Sequence, residues 1–123
     1  MTHNRLITLP TTDHGDIALS DPGWCTGHAS HFPGPRVDIT HTGTEHTFAF
    51  AGDTLLVAML SQTPFGPDPE QRRTGLYVEQ PRWAATLDPV EIRQLAATLT
   101  VHAMHLRTLA EQLAVLRDEE GQR

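Results

Sequence analysis

Residues 88–118 read as one uninterrupted helix, and its length limits how the rest of the chain can be arranged. Asp88 is placed to cap it, Pro89 opens the first turn, and Glu91 stands three residues after the cap. An acidic cap and an acidic third residue satisfy amides that lack a helical partner and favour the positive end of the helix dipole. Ile92, Leu95, Leu99, His102, Leu106, Leu109, Leu113 and Leu116 follow in alternating steps of three and four, while Ala96, Ala103 and Ala110 recur every seven residues beside them. This is the period of a helix with one apolar seam, edged by small side chains that let another backbone approach. A helix of about 30 residues is about 45 Å long, whereas a compact chain of this size has a radius of gyration of about 14 Å. The first half of the helix is therefore expected to pack on a sheet. The 106–116 half is expected to pair, as a coiled coil, with the same helix of a second copy, giving a homodimer. His102 interrupts the seam; a polar residue there sets register, and its protonation would weaken such a dimer below about pH 6. His105 lies about one turn further on, but "HAMH" lacks the glutamate general base of a metalloprotease helix.

A second feature is chemical. Residues 24–46, "WCTGHASHFPGPRVDITHTGTEH", hold the only cysteine and four of the eight histidines. Cys25 and His28 are spaced C-x2-H, and His41 and His46 follow as H-x4-H, with His31 between the pairs. Zinc favours tetrahedral sets of Cys and His in which a short-spaced pair on a tight turn meets a second pair from a neighbouring element. Gly27 and the run Pro33, Gly34, Pro35 supply the turns such a knuckle needs. Cys25, His28, His41 and His46 are the candidate metal ligands, and zinc is the expected cofactor. The competing reading is that Cys25 packs as a small apolar residue and the histidines are surface groups.

Composition bounds the alternatives. At 123 residues and 38% hydrophobic content the chain suits a single domain with one modest core. It is expected to comprise a β-rich part over 5–80, with the loop 21–46 inside it, followed by the helix. The formal net charge is −6, and all nine basic residues are arginine, scattered without a run. Nucleic-acid binding needs a clustered positive face, so it is not expected. One cysteine cannot form an internal disulfide, which points to a reducing cytoplasm. The N-terminal "MTHNRLITLP" has no cationic region followed by a long apolar run, and the longest apolar run, 55–60, is six residues, so neither a signal peptide nor a membrane span is expected.

The rest of the chain reads as short strands. Residues 5–9 and 16–19 have β character on either side of the polar "TTDHG" turn. Prolines and glycines forbid helix from Pro22 to Pro35, so Trp24 and Phe32 are expected to be held by packing on a sheet. Residues 36–40 alternate Val37 and Ile39 with polar neighbours and read as a half-buried strand ending at His41. Residues 46–50 alternate again, "AGD" reads as a hairpin turn, and 54–60 reads as a central strand. Residues 61–75 contain three prolines and few apolar anchors and are expected to be an exposed, mobile loop before a last strand at 75–80. The expected fold is α+β, an antiparallel meander packed against one long C-terminal helix, with a Pro/Gly-rich metal-binding loop.

Signatures of catalysis are missing: the chain has no G-x-S-x-G elbow, no phosphate-binding G-x-x-x-x-G-K-[ST] and no G-x-G-x-x-G. A Cys25–His28 nucleophile pair is conceivable, but the neighbouring histidines make a ligand set the more economical reading. The segments "DPGWCTGH", "HTG" at 41–43 and "LDPVEIRQLAATL" resemble an uncharacterised family of small actinobacterial proteins. Its members carry a C-P-x-W-C segment with a following His, an H-x-G element and a terminal "LTPxEARxLAxAL" helix. The resemblance covers most of residues 20–100 and implies an actinobacterial or actinophage source with no established activity. It also implies that Cys25, His28 and His41 are ligands. The first cysteine of the pattern is Asp21 here, a substitute oxygen ligand that zinc accepts. The fourth position is thus open among His46, Asp21 and His31, in that order. The leading expectation is a non-enzymatic, zinc-stabilised interaction or regulatory module, dimeric through its helix and acting on a protein partner of unknown identity. The alternatives are a zinc enzyme with an open coordination position and a metal-free structural domain.

Overall fold

The computed structural model describes residues 4–121. The architecture is α+β, with antiparallel strands in two sheets and one long C-terminal helix. Strands β1 (Arg5–Thr11) and β2 (Gly15–Asp21) form a hairpin. The second sheet joins β3 (His41–Thr42), β4 (His46–Phe50), β5 (Asp53–Gln62) and β6 (Gly75–Glu79), with β5 pairing each of the other three. Helix α1 runs Pro89–Gly121. The chain divides into two compact units: one contains residues up to 44 together with 59–77, the other residues 45–58 together with those from 78 onward.

In the first unit the turn after β1 is locked by Thr11, whose hydroxyl donates to the Gly15 carbonyl (2.7 Å) and accepts from the His14 amide (2.9 Å), while Gly15 takes φ +62°. The hairpin register sets Ile7 opposite Leu19 and Leu9 opposite Ile17. Side chains of one strand alternate between faces, so these four share a face, and with Ile39 and Phe65 they form the apolar core. By the same alternation Asp21 falls on the inward row of β2, two residues past Leu19.

Residues 36–40 are not the strand that their alternation predicts. Arg36–Asp38 is a single 3-10 turn, set by bonds from the Asp38 amide to the Pro35 carbonyl (3.0 Å) and from Arg36 N–H to the Asp13 carboxylate (2.9 Å). Only Ile39 of the two apolar residues is buried, whereas Val37 is 45% exposed. Phe32 is likewise not packed on a sheet but stands 87% exposed. Residues 61–75 are more structured than their prolines predict. The Thr63 amide bonds to the Gln71 carbonyl (2.8 Å), Arg72 donates to the Gly66 carbonyl (3.1 Å), Phe65 packs on the core beneath the Arg36 guanidinium, and Thr74 is fully buried.

In the second unit the β4–β5 hairpin turns through Ala51 (φ +51°) and Gly52 (φ +84°), the pair of left-handed residues that matches strand twist. Phe48 (1% exposed), Phe50 and Ala58 are its buried residues, and Trp83 meets Phe50 edge-on at 6.1 Å. The start of α1 is a reciprocal capping box: the Glu91 amide donates to Asp88 Oδ1 (2.8 Å) and the Asp88 amide to Glu91 Oε1 (3.1 Å). Burial along α1 is spread over both halves, with Leu95 of the first half also partly covered. Leu109 is buried and Leu106, Leu113 and Leu116 are partly so, while Ile92 and Leu99 are about half exposed. His102 is not an open seam residue either: its Nε2–H donates to the Ala49 carbonyl at 2.8 Å and its ring lies edge-on to Phe48. Among the described residues no helix is long and apolar enough to cross a membrane.

Candidate metal centre

Four short segments of the first unit bring the site together. Asp21 ends β2, where the chain leaves the hairpin. Pro22 then accepts the Cys25 amide (3.0 Å), closing a tight turn that throws Cys25 back toward Asp21. Gly27 takes φ +102°, a conformation side-chain-bearing residues rarely adopt, and so aims its amide at Cys25 Sγ (3.4 Å). His28 follows on the same loop. His41 arrives on β3, held by the Thr26 amide on the Thr42 carbonyl (2.9 Å) and by the Gly43 amide on the Leu60 carbonyl (2.9 Å). Gly43 is needed for closeness: a Cβ there would come within 3.2 Å of the Leu60 Cβ and 3.4 Å of the Trp24 carbonyl. Trp24 in turn sits edge-on to the His41 ring at 6.4 Å.

The ligating atoms of Asp21, Cys25, His28 and His41 all lie within 4.8 Å of one another. His41 Nδ1 is 3.0 Å from Asp21 Oδ1, His28 Nε2 is 3.2 Å from His41 Nδ1 and 3.3 Å from Asp21 Oδ1, and Cys25 Sγ is 3.6 Å from His28 Nε2. Four donors bound tetrahedrally at about 2.0–2.3 Å stand about 3.3–3.8 Å apart, so these separations are close to those of a coordination shell. Each buried nitrogen and oxygen of the group has a hydrogen-bonding partner, but not every close neighbour can be served at once. A ring nitrogen has one proton or one lone pair, yet His28 Nε2 faces a carboxylate oxygen, a second ring nitrogen and a sulfur at once. A cation at their centre would engage all four atoms together. This buried Asp/Cys/His/His group could hold a metal ion.

Electrostatics describe the resting state of the group. Burial works to raise the Asp21 carboxyl, but hydrogen bonds from Cys25, Arg5 and His28 and the charge of His41 outweigh it and hold it below its ordinary range. Burial pushes the Cys25 thiol up, against the opposing Gly27 amide, and the neighbouring Asp21 charge adds to the rise. Burial also lowers His41, with Asp21 pulling the other way. At neutral pH the group therefore holds an ionised Asp21, a protonated Cys25 and a neutral His41.

Of the residues singled out in the sequence, Cys25, His28 and His41 come together. The fourth member of the group is Asp21, not His46. His46 lies on β4 in the second unit, its ring 5.2 Å from that of His105. His31 bonds through Nε2 to the Pro10 carbonyl (3.0 Å). Spacing alone did not reveal Asp21, which the family resemblance offered as second choice for the fourth position and which its place on the Ile17–Leu19 row also favoured. It gave no hint of Arg5, whose guanidinium binds Asp21 Oδ2 at 3.1 and 3.2 Å.

No curated protein and no solved structure matches the chain. The model of one family, the domain of unknown function DUF6907, matches residues 6–115. With that span of its 123 residues matched, the chain belongs to the DUF6907 family.

Proposed function

We propose that the protein is a non-enzymatic, zinc-stabilised interaction module whose metal is held by Asp21, Cys25, His28 and His41. The observation that carries this reading is the convergence of one sulfur, two imidazole nitrogens and one carboxylate oxygen within 4.8 Å in a buried pocket. A mixed set of four such donors suits zinc, whereas magnesium and calcium prefer oxygen alone. Burial supports a structural role over a catalytic one. The side chains of Asp21 and His41 are each 1% exposed and that of His28 is 10% exposed, which leaves little room for the open position that a reactive water needs. A zinc staple joining the 21–28 loop to β3 adds stability that a modest core lacks. A reducing compartment, which the single cysteine also suits, would keep the thiol available to the metal.

The partner in this reading is a second copy of the chain, reached through α1. The seam residues Leu106 and Leu109 are partly or fully covered within the chain, but Val90, Ala97, Val101, Met104, Thr108 and Val115 recur at steps of seven, four, three, four and seven, and the four larger apolar residues among them are each more than half exposed. Such spacing is that of a helix that pairs with another helix. Zinc content by plasma mass spectrometry, on protein purified without a histidine tag, tests the first part. About one equivalent is expected, and less than about a tenth of an equivalent would reject it. Light scattering with size exclusion tests the second: a dimer is expected that Val101→Glu with Met104→Glu converts to a monomer. A wild-type monomer at micromolar concentration would reject self-association.

A further inference from the structure

Asp21 and Arg5 are direct partners across the β1–β2 ladder, and side chains directly opposite in an antiparallel pair stand on the same face. The two oxygens of the fully buried Asp21 carboxylate are thereby divided between two tasks. Oδ2 faces outward and accepts both Nε (3.2 Å) and one terminal nitrogen (3.1 Å) of Arg5, whose side chain is 61% exposed. Oδ1 faces inward, 3.0 Å from His41 Nδ1 and 3.3 Å from His28 Nε2. A carboxylate free of such a partner can offer a metal both oxygens, and doing so raises the coordination number above four.

We infer that Arg5 is a positioning residue that keeps Asp21 a one-oxygen ligand, and so sets the site to four-coordinate metals. This inference rests on the proposed metal site and deepens it by naming what determines its selectivity. Two charge-assisted bonds on Oδ2 compete directly with a second metal–oxygen contact. The guanidinium also repels any cation that drifts toward the outer oxygen. Zinc tolerates four ligands readily; manganese and calcium prefer six or more, mainly oxygen, so a carboxylate restricted to one oxygen disfavours them. Groups behind a ligand typically contribute ten- to a hundredfold in metal affinity. Because Arg5 is at the open end of the hairpin, opposite its turn, and its side chain is mostly exposed, its replacement removes the restraint while the Ile7, Leu9, Ile17 and Leu19 core remains.

The test substitutes cobalt(II) for zinc and compares the full-length wild type with Arg5→Met, which keeps the stem but no donor, and Arg5→Lys, which keeps one cationic donor. Wild-type protein should show the intense visible bands of tetrahedral cobalt together with a near-ultraviolet thiolate charge-transfer band. Arg5→Met should keep the thiolate band but lose visible intensity as the coordination number rises, bind zinc ten- to a hundredfold more weakly, and discriminate less against manganese. Arg5→Lys should recover part of each change. Circular dichroism of the metal-free variants establishes that the hairpin is intact. Unchanged cobalt bands and unchanged zinc affinity in Arg5→Met would overturn the role of Arg5 while leaving the metal site standing. A wild-type protein with no thiolate–cobalt band would overturn both.

Discussion

The protein has two groups of histidines, and they differ in what the ring nitrogens do. In the first unit His28 and His41 aim their nitrogens at each other, 3.2 Å apart, and at the same carboxylate oxygen. In the second, His102 and His105 lie against Phe48 at centroid distances of 5.2 and 4.9 Å, His46 lies 5.2 Å from His105, and His102 bonds to the Ala49 carbonyl. The second group is an ordinary aromatic cluster with its polar needs met. The first contains a buried, ionised carboxylate with two imidazole nitrogens and a sulfur converging on it. Histidine count does not separate these cases. The direction of the nitrogens, and whether a charge is buried with them, does.

The comparison can be broken by substitution. The largest effect on zinc binding is expected from Cys25→Ser, which should weaken it at least about a hundredfold, because even groups that merely support a ligand cost ten- to a hundredfold. Titration against a chromophoric chelator measures this, and near-wild-type affinity would leave the first cluster no different in kind from the second. Next is Phe48→Ala, which removes the 1% exposed ring at the centre of the second cluster. It should cost about 3–5 kcal/mol in denaturant unfolding, while the folded variant keeps a full equivalent of zinc.

A smaller effect concerns pH. Because burial holds the Cys25 thiol up, it is protonated in the metal-free protein at neutral pH, and zinc must displace that proton. Affinity should therefore fall with falling pH, about tenfold per unit for one displaced proton. His41, whose basicity burial lowers, adds no second proton near neutrality. Isothermal titration in buffers of different ionisation enthalpy counts the protons released, and a count of zero at pH 7 would contradict this assignment. The smallest effect is expected from His46→Ala. Losing one ring contact should cost about 1 kcal/mol and leave zinc content unchanged; loss of zinc there would return His46 to the ligand set and erase the distinction between the clusters.

What could be read from the sequence was local. The Asp88–Glu91 capping box, the Ala51–Gly52 turn and the helix period are decided by residues three or four apart, and all three are present in the structure. Cys25 and His28 belong to the same class, since one tight turn at Pro22 and a left-handed Gly27 are enough to bring them together. The 3-10 turn at Arg36–Asp38 was missed because alternating Val37 and Ile39 satisfies a strand pattern even when only one of them finds a core. The ordering of residues 61–75 was missed because it depends on Phe65 reaching Leu9 and Leu19, a contact between distant residues.

By itself, then, the sequence determined a capped amphipathic helix, a set of antiparallel strands, and three of the four members of the Asp/Cys/His/His group. Only the tertiary structure decided the fourth. H-x4-H spacing carries no information about which element a histidine will face, and β4 takes His46 to His105. The β1–β2 register does the opposite for Asp21, turning it inward beside His41 with Arg5 behind it. Strand register is a long-range property, fixed by which apolar rows bury together, so the choice of Asp21 among the three candidates His46, Asp21 and His31 is made only when the hairpin is closed.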